Sequence, residues 1–188
     1  MKVSILGIRG FLGSALAKKI KAKVFNYLRD DVDIVFNFAS PSSIYIYEKS
    51  LDFCIEETVV SHLSCLRFCR QHKIKYIYPS SSTIYHCQNA YAHTKKALEH
   101  LHLAYGGDVL GLRIFAGYGI EENKGEYASI IYQFCQQMKQ GKRPVIYGDG
   151  TQTRDFVYVD DIIECILSNL DKTGFLDIGT GVESFNPL

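Results

Sequence analysis

Tyr91 and Lys95 have the residue types and the spacing of a proton-transfer pair. They stand four positions apart in YAHTK, within a segment that predicts a helix from about residue 89 to Tyr105, so their side chains share one face. A tyrosine with a pKa of about 10 is a poor base near pH 7, and lowering that pKa by about three units takes about 4 kcal/mol of phenolate stabilisation. A neighbouring ammonium supplies part of it. Two ordinary residues on a helix surface are the alternative interpretation.

The serines of PSSSTIY, residues 79–85, favour the chemical interpretation of this pair. They follow a predicted buried strand, KYIYPS at 75–80, and therefore fall at its carboxyl end. In parallel α/β sheets this is the edge at which ligands bind.

A glycine-rich loop, GIRGFLG, forms the second candidate site. Gly7, Gly10 and Gly13 separate a predicted first strand, KVSIL at 2–6, from a helix that begins near Phe11. Backbone N–H groups and the helix dipole at such a junction hold a pyrophosphate, and a Cβ atom would block its close approach. The alternative is a tight turn that lets the helix pack on the sheet.

The segment after the second predicted strand, VFNYLRDD at 24–31, bears on cofactor type. Folds that prefer NAD often place an acidic residue here, where it accepts a hydrogen bond from the ribose 2′-hydroxyl. Asn26 can bond a hydroxyl, whereas Arg29 can meet the 2′-phosphate of NADP or be a solvated surface charge. Both cofactors, NAD and NADP, therefore stay open.

The elements that must position these residues alternate between strands and amphipathic helices. This alternation predicts right-handed β-α-β crossovers and an α/β fold with a doubly wound parallel sheet, in one Rossmann-like domain over 1–188. The predicted strands are 2–6, 22–25, 33–39, 75–80, 109–116, PVIYG at 144–148, the start of 156–170, and 174–179. The predicted helices follow Phe11 and cover about 53–71, 89–105, 127–141 and the rest of 156–170.

Composition and charge exclude several classes of protein. The chain has 21 Lys and Arg against 20 Asp and Glu, a net charge of +1, and no basic run, which excludes the footprint of a nucleic-acid or anionic-membrane binder. No apolar stretch approaches the roughly 18 residues of a spanning helix, and glycines interrupt any N-terminal signal pattern. We therefore expect a cytoplasmic protein without nucleic-acid or membrane partners.

The six cysteines contain no C-x-x-C pair in a chain too long for a disulfide scaffold, and we expect reduced, mostly buried thiols. His62, Cys65, Cys69 and His72 have helical spacing, but ten residues of helix rise about 15 Å, so the outer two cannot reach one ion. We therefore predict helix packing and no metal site; two ligands completed from elsewhere are the alternative.

In their order along the chain, these motifs resemble the extended short-chain dehydrogenase/reductase family, and within it the NAD-dependent nucleotide-sugar epimerases and dehydratases. The resemblance covers nearly the whole chain, and its most specific segment is IYGDGTQTRDFVYVDDI at 146–162. KGEYASI and GTGVESF are similar to segments of ADP-heptose 6-epimerases and UDP-glucose 4-epimerases. The other matching segments are GIRGFLGS, DIVFNFAS, IKYIYPSSSTIY, YAHTK, GLRIFAGYG and GFLDIGTG.

The resemblance implies roles for individual residues. Tyr91 becomes the acid/base, and Lys95 lowers its pKa and holds the nicotinamide ribose. Counting back four residues from Tyr85 makes Ser81 the catalytic hydroxyl, although Ser80 and Ser82 are close enough in sequence to be confused with it. The implied pyrophosphate loop consists of Gly7, Gly10, Phe11, Leu12 and Gly13, and Ala39 and Ser40 border the nicotinamide.

Substrate contacts are implied for Ser82 and for Arg154, whose rigid fork suits a diphosphate. The chain also departs from the family. Members are usually much longer, so we expect a reduced substrate-binding lobe with truncated elements around 118–156 and 175–188. A strand and a helix are missing before DIVFNFA, and Ala116 stands where the family usually has Asn.

The function implied is an NAD(P)-dependent nucleotide-sugar epimerase that works by transient oxidation of a sugar hydroxyl. A nucleotide-sugar dehydratase or reductase, or a compact cofactor-binding relative that has lost turnover, are the alternatives. Members commonly dimerise through a four-helix bundle, so we also expect a homodimer through the helices at 53–71 and 89–105.

Overall fold

The computed structural model describes residues 1–120, 122, 127–146 and 148–182. Its strands are β1 (Lys2–Leu6), β2 (Lys23–Phe25), β3 (Ile34–Asn37), β4 (Lys75–Pro79), β5 (Val109–Ile114), β6 (Ala116–Tyr118), β7 (Phe156–Tyr158) and β8 (Gly174–Ile178). Six of them form one parallel sheet in the order β2-β1-β3-β4-β5-β8, while β6 and β7 pair in parallel beside it.

Helices cover both faces of the large sheet. They are α1 (Phe11–Lys19), α2 (Ile44–Lys49), α3 (Leu51–Ile55), α4 (Ser61–His72), α5 (Ala90–Tyr105), α6 (Ile130–Lys139) and α7 (Val159–Leu167). A π-helical turn, Glu56–Val60, joins α3 to α4, and a 3-10 turn, Ser82–His86, follows β4. No helix in the described part of the chain has the length and the apolar character needed to cross a membrane.

Two buried clusters hold these layers together. Because side chains alternate along a strand, Ile77 of β4 packs with α1 and α7, while Tyr76 and Tyr78 of the same strand pack with α4 and α5. The strands are therefore apolar on both faces, as expected for a parallel sheet between helical layers. The predicted α/β class and doubly wound sheet are confirmed.

The connection from β2 to β3 contains no helix, in agreement with the shortening predicted there. Residues 26–33 instead return from the carboxyl end of β2 to the amino end of β3. The Asp33 carboxylate accepts a hydrogen bond from the backbone N–H of Lys2 at 2.7 Å. Val32 is buried in the cluster around α4 and fixes this connection to the core.

The strand predicted at PVIYG is wrong for its described residues, 144–146 and 148. The Val145 side chain is about half exposed, and its backbone N–H donates to the side-chain oxygen of Gln137 at 2.8 Å, where a strand would have a backbone partner. Tyr147 lies outside the described residues. The structure adds α2 and β6, which sequence periodicity did not predict because both are short.

Candidate active site

A cavity of about 720 Å³ opens at the carboxyl edge of the large sheet. It collects predicted site residues from segments that are far apart in sequence. Those in its wall are Gly10, Phe11, Leu12, Ser40, Ser81, Ser82, Tyr91, Lys95 and Arg154. The predicted residues outside its wall are Gly7, Gly13, Asn26, Arg29 and Ala39.

The glycine loop serves two purposes at different glycines. Gly7 has a φ of +75°, and a Cβ there would lie 2.6 Å from backbone atoms of Phe38, so it is required for packing. Gly13 faces the backbone of Gly7 just as closely. Gly10, by contrast, has an extended backbone and lies in the cavity wall at the start of α1, where a Cβ would lie 3.2 Å from the Gly7 carbonyl oxygen. Gly7 and Gly13 therefore fit the interpretation of a tight turn that lets α1 pack on the sheet. Gly10 fits the interpretation of a loop that faces a ligand.

Lys95 connects three elements beneath the cavity. Its side chain is only 1% exposed. The ammonium donates to the hydroxyl of Ser40 at 3.2 Å and to the carbonyl of Pro79 at 3.0 Å. The charge is thereby held between the ends of β3 and β4, 5.6 Å from the centre of the Tyr91 ring.

Tyr91 and Ser81 are neighbours in the cavity wall. Burial raises the pKa of Tyr91, and the side-chain hydrogen bond with Ser81 opposes that rise. The net direction is opposite to the lowering expected beside Lys95, because burial outweighs the hydrogen bond with Ser81. Ser81 is itself fixed, since its oxygen accepts from the N–H of Thr83 at 3.2 Å.

An aromatic contact that the sequence did not reveal holds the Tyr91 ring. Tyr47 of α2 meets it edge to face, with ring centres 5.3 Å apart. The Tyr47 hydroxyl lies 2.8 Å from that of Thr58, which projects from the π-helical turn. Burial raises the pKa of Tyr47 to about 12, so this phenol stays protonated and acts as a support.

Ser80 and Ser81 have different surroundings. The Ser80 hydroxyl donates to a carboxylate oxygen of Glu99 at 2.6 Å, whereas that of Ser81 meets Tyr91. The geometry therefore supports Ser81 as the hydroxyl beside the candidate base. The sequence analysis did not predict Glu99. Its position four residues after Lys95, on the same face of the helix, could have indicated that it lies near the candidate site.

Arg29 has protein partners on the edge of the sheet. Its guanidinium donates to Asp31 at 2.5 Å and to the hydroxyl of Tyr27 at 2.9 Å, and it stacks on the ring of Phe25. Asn26 is exposed at the end of β2.

The far side of the cavity carries Arg154 and two anchored carboxylates. Arg154 is exposed in the wall, next to Asp155. Asp155 accepts hydrogen bonds from Thr180 and from the N–H of Gly181; although burial opposes the shift, these bonds lower its pKa. Glu122, 3% exposed, accepts from the N–H and the hydroxyl of Ser129 at the start of α6. Sequence reasoning named neither carboxylate.

The cluster of His62 and the cysteines lies on the buried face of α4. His62, Cys65 and Cys69 are buried, while His72 is exposed. A ring nitrogen of His62 lies 3.0 Å from the hydroxyl of Tyr76. Over the described ranges, no three His, Cys, Asp or Glu side chains are grouped to hold a metal ion.

The parallel sheet, the glycine turn before α1, and Ser81, Tyr91 and Lys95 around one cavity define a Rossmann-like nucleotide-binding class. The sequence model of the NAD dependent epimerase/dehydratase family matches residues 21–179. The chain belongs to this family.

Relatives agree with this assignment. An ADP-L-glycero-D-manno-heptose-6-epimerase from Brachyspira hyodysenteriae is 32% identical over 146 residues, which is 64% of this chain and 46% of that protein. A putative UDP-glucose 4-epimerase from Methanocaldococcus jannaschii is 40% identical over 81 residues, 43% of this chain and 27% of that protein. The chain spans about half the length, or less, of the curated relatives it matches.

The fold has solved counterparts. A UDP-glucose 4-epimerase from Thermotoga maritima superposes with a TM-score of 0.87 and 21% identity, over 98% of this chain and 78% of that one. At this identity the likeness shows the fold alone.

Proposed function

We propose that this chain is an NAD-dependent nucleotide-sugar epimerase that transiently oxidises a sugar hydroxyl. The observation that carries the proposal is the convergence of Ser81, Tyr91 and Lys95 on the cavity wall that also contains the start of α1. Relatives named as epimerases support it.

The residues present fit a dinucleotide. The first turn of α1 holds no acidic residue, and Gly10, Phe11 and Leu12 line the cavity there, which suits a pyrophosphate. Ala39 and Ser40, with the buried ammonium of Lys95, would hold the nicotinamide ribose end. The chemistry supplied at that end is reversible hydride transfer. The pairing of Arg29 with Asp31 favours NAD over NADP, because it occupies the charge that a 2′-phosphate would need.

In this proposal Tyr91 takes the proton from the sugar hydroxyl and later returns it. Ser81 donates its one hydroxyl proton to the Tyr91 oxygen and so orients the phenol toward the sugar hydroxyl. Lys95 stabilises the phenolate and orients the ribose. Arg154 grips the diphosphate of the sugar nucleotide, with Ser82 beside it.

A direct test combines cofactor analysis with a substrate panel. Protein purified and incubated with NAD is assayed with UDP-, GDP-, dTDP- and ADP-sugars, and products are separated by chromatography. We expect retention of NAD and interconversion of one epimeric pair. Retention of NAD without turnover of any sugar nucleotide would instead support a cofactor-binding protein that has lost activity.

Epimerisation is preferred over dehydration on one observation. Dehydratases usually carry an Asp-Glu pair after the catalytic serine, and Ser82 and Thr83 occupy those positions here. Loss of water from the substrate in the panel assay would reverse this preference.

We also propose a homodimer in the cytoplasm. Phe53, Val60 and Leu103 are each more than half exposed on the helices from α3 to α5, which suits an apolar face covered by a second copy. All six cysteines, each within the described residues, are free thiols, which is typical of a reducing compartment.

A further inference from the structure

A buried ion pair lies directly beneath the candidate site. The Glu99 carboxylate, 3% exposed, receives two hydrogen bonds from the Arg113 guanidinium at 3.0 and 2.9 Å. It also accepts from the hydroxyl of Ser80 at 2.6 Å. The carboxylate thus binds β4 and β5 to α5.

The position of this carboxylate relates it to the proposed chemistry. On α5, Glu99 follows Lys95 by one turn and Tyr91 by two, so all three share one face. Ser80 immediately precedes Ser81. The Glu99 carboxylate is therefore hydrogen-bonded to the residue that precedes Ser81, and it belongs to the helix that carries Tyr91.

Arg113 makes this anchor rigid. Its guanidinium stacks on the ring of Phe175 at 4.5 Å and donates to the hydroxyl of Tyr85 at 3.0 Å. Tyr85 in turn donates to Asp177 of β8 at 2.7 Å. The hydrogen bonds to Glu99 raise the pKa of Arg113, so the guanidinium stays charged. The carboxylate cannot shift without breaking a paired, desolvated contact.

We propose that Ser80 and Glu99 are positioning residues whose hydrogen bond sets the separation between the Ser81 and Tyr91 hydroxyls. This inference rests on the proposed function. Neither residue exchanges a proton with substrate. Their effect reaches the reaction through Ser81, because a displacement of about 1 Å in a reacting group can cost about 100-fold in rate.

Ser80→Ala is the sharpest variant, because it removes one hydrogen bond and leaves the Glu99–Arg113 pair intact. We expect kcat to fall about 10-fold to 100-fold while KM and the Kd for NAD stay within about twofold. The limb of the pH-rate profile assigned to Tyr91 should move to higher pH, because the contact with Ser81 that lowers the Tyr91 pKa is weakened. Ser80→Thr, which keeps the hydroxyl, should restore both.

Two controls separate positioning from simple stability. Ser64→Ala makes the same substitution on α4, where it removes an exposed side-chain hydrogen bond to the carbonyl of Val60, and should change neither kcat nor the pH profile. Glu99→Leu, which removes the acceptor of the Ser80 hydroxyl, should lower kcat and shift the pH profile in the same direction as Ser80→Ala. A Ser80→Ala protein with a lower melting temperature but wild-type kcat and pH profile would overturn the proposal.

Crystal structures of wild type and Ser80→Ala decide the question independently of turnover. We expect the Ser81–Tyr91 oxygen separation to increase in the variant, and an unchanged separation would overturn the proposal. Absence of epimerisation by the wild type would overturn the proposed function alone.

Discussion

At the scale of single residues, substitution of Tyr91 tests most directly whether the protein is an enzyme or only binds the cofactor. Tyr91→Phe keeps the ring packed against Tyr47, so NAD binding should persist. Turnover should fall about 100-fold or more, the usual contribution of a positioned proton-transfer group. Calorimetry with NAD and turnover on the sugar nucleotide found by the panel measure the two effects. A fully active Phe variant would remove Tyr91 from the mechanism.

Lys95 has two assigned roles, and its replacement should show both. Lys95→Met loses the bonds to Ser40 and to the carbonyl of Pro79, so NAD affinity and turnover should fall together. Ser81→Ala is the matched comparison, with a lower rate and a smaller effect on NAD binding. Equal NAD affinity in wild type and Lys95→Met, measured by the same calorimetry, would exclude the ribose-binding role.

His62 should make stability depend on acid. Burial first, and then the charge of Lys95, lower its pKa to about 3, whereas an unfolded histidine titrates near the ordinary value of 6.5. The unfolded chain therefore binds the extra proton as pH falls below 6.5, and stability decreases toward pH 3 by up to about 1.4 kcal/mol per pH unit. His62→Gln should flatten urea-unfolding stability plotted against pH from 7 to 4. His72→Gln, on the exposed side of α4, should not, and equal slopes in wild type and His62→Gln would contradict this account.

At the scale of elements, two glycines of the strand-loop-helix unit from β1 to α1 should affect different properties: Gly10 the binding of NAD, and Gly7 the stability of the fold. Gly10→Val should abolish NAD binding while the fold largely persists, because its branched side chain lies in the cavity wall, the backbone at Gly10 is extended, and its Cβ needs only a small shift of the Gly7 carbonyl, 3.2 Å away. Gly7→Ala should instead lower the melting temperature sharply, because of its positive φ and the contact with Phe38. Thermal melts and NAD titrations of both variants test this. Unchanged NAD affinity in Gly10→Val would move the pyrophosphate elsewhere.

At the scale of the whole molecule, the exposed apolar residues from α3 to α5 predict self-association. Light scattering at micromolar concentration should give a dimer mass. Val60→Glu and Leu103→Glu should each give a monomer, since a charge in an apolar interface is costly. Ile120→Glu, at a more exposed residue away from these helices, is the control. A monomeric wild type would contradict the proposed dimer.

Local patterns were enough to determine the fold class and part of the candidate site. The alternation of strands and helices, the glycine loop between β1 and α1, and the spacing of Tyr91 and Lys95 depend on residues close together in sequence. Helical and strand periodicity report such short-range relations directly. The connection that replaces a helix between β2 and β3 was visible for the same reason, as a shortage of residues.

Only the tertiary structure decided the contacts between distant segments. It distinguished Ser80 from Ser81, because the Ser80 hydroxyl is hydrogen-bonded to Glu99. It also placed the Tyr47 ring against the Tyr91 ring. It also left residues 144–146 without a strand partner, although their composition suits a strand. These outcomes depend on contacts between residues that are far apart in sequence. Periodicity along the sequence reports only local relations and does not predict such contacts.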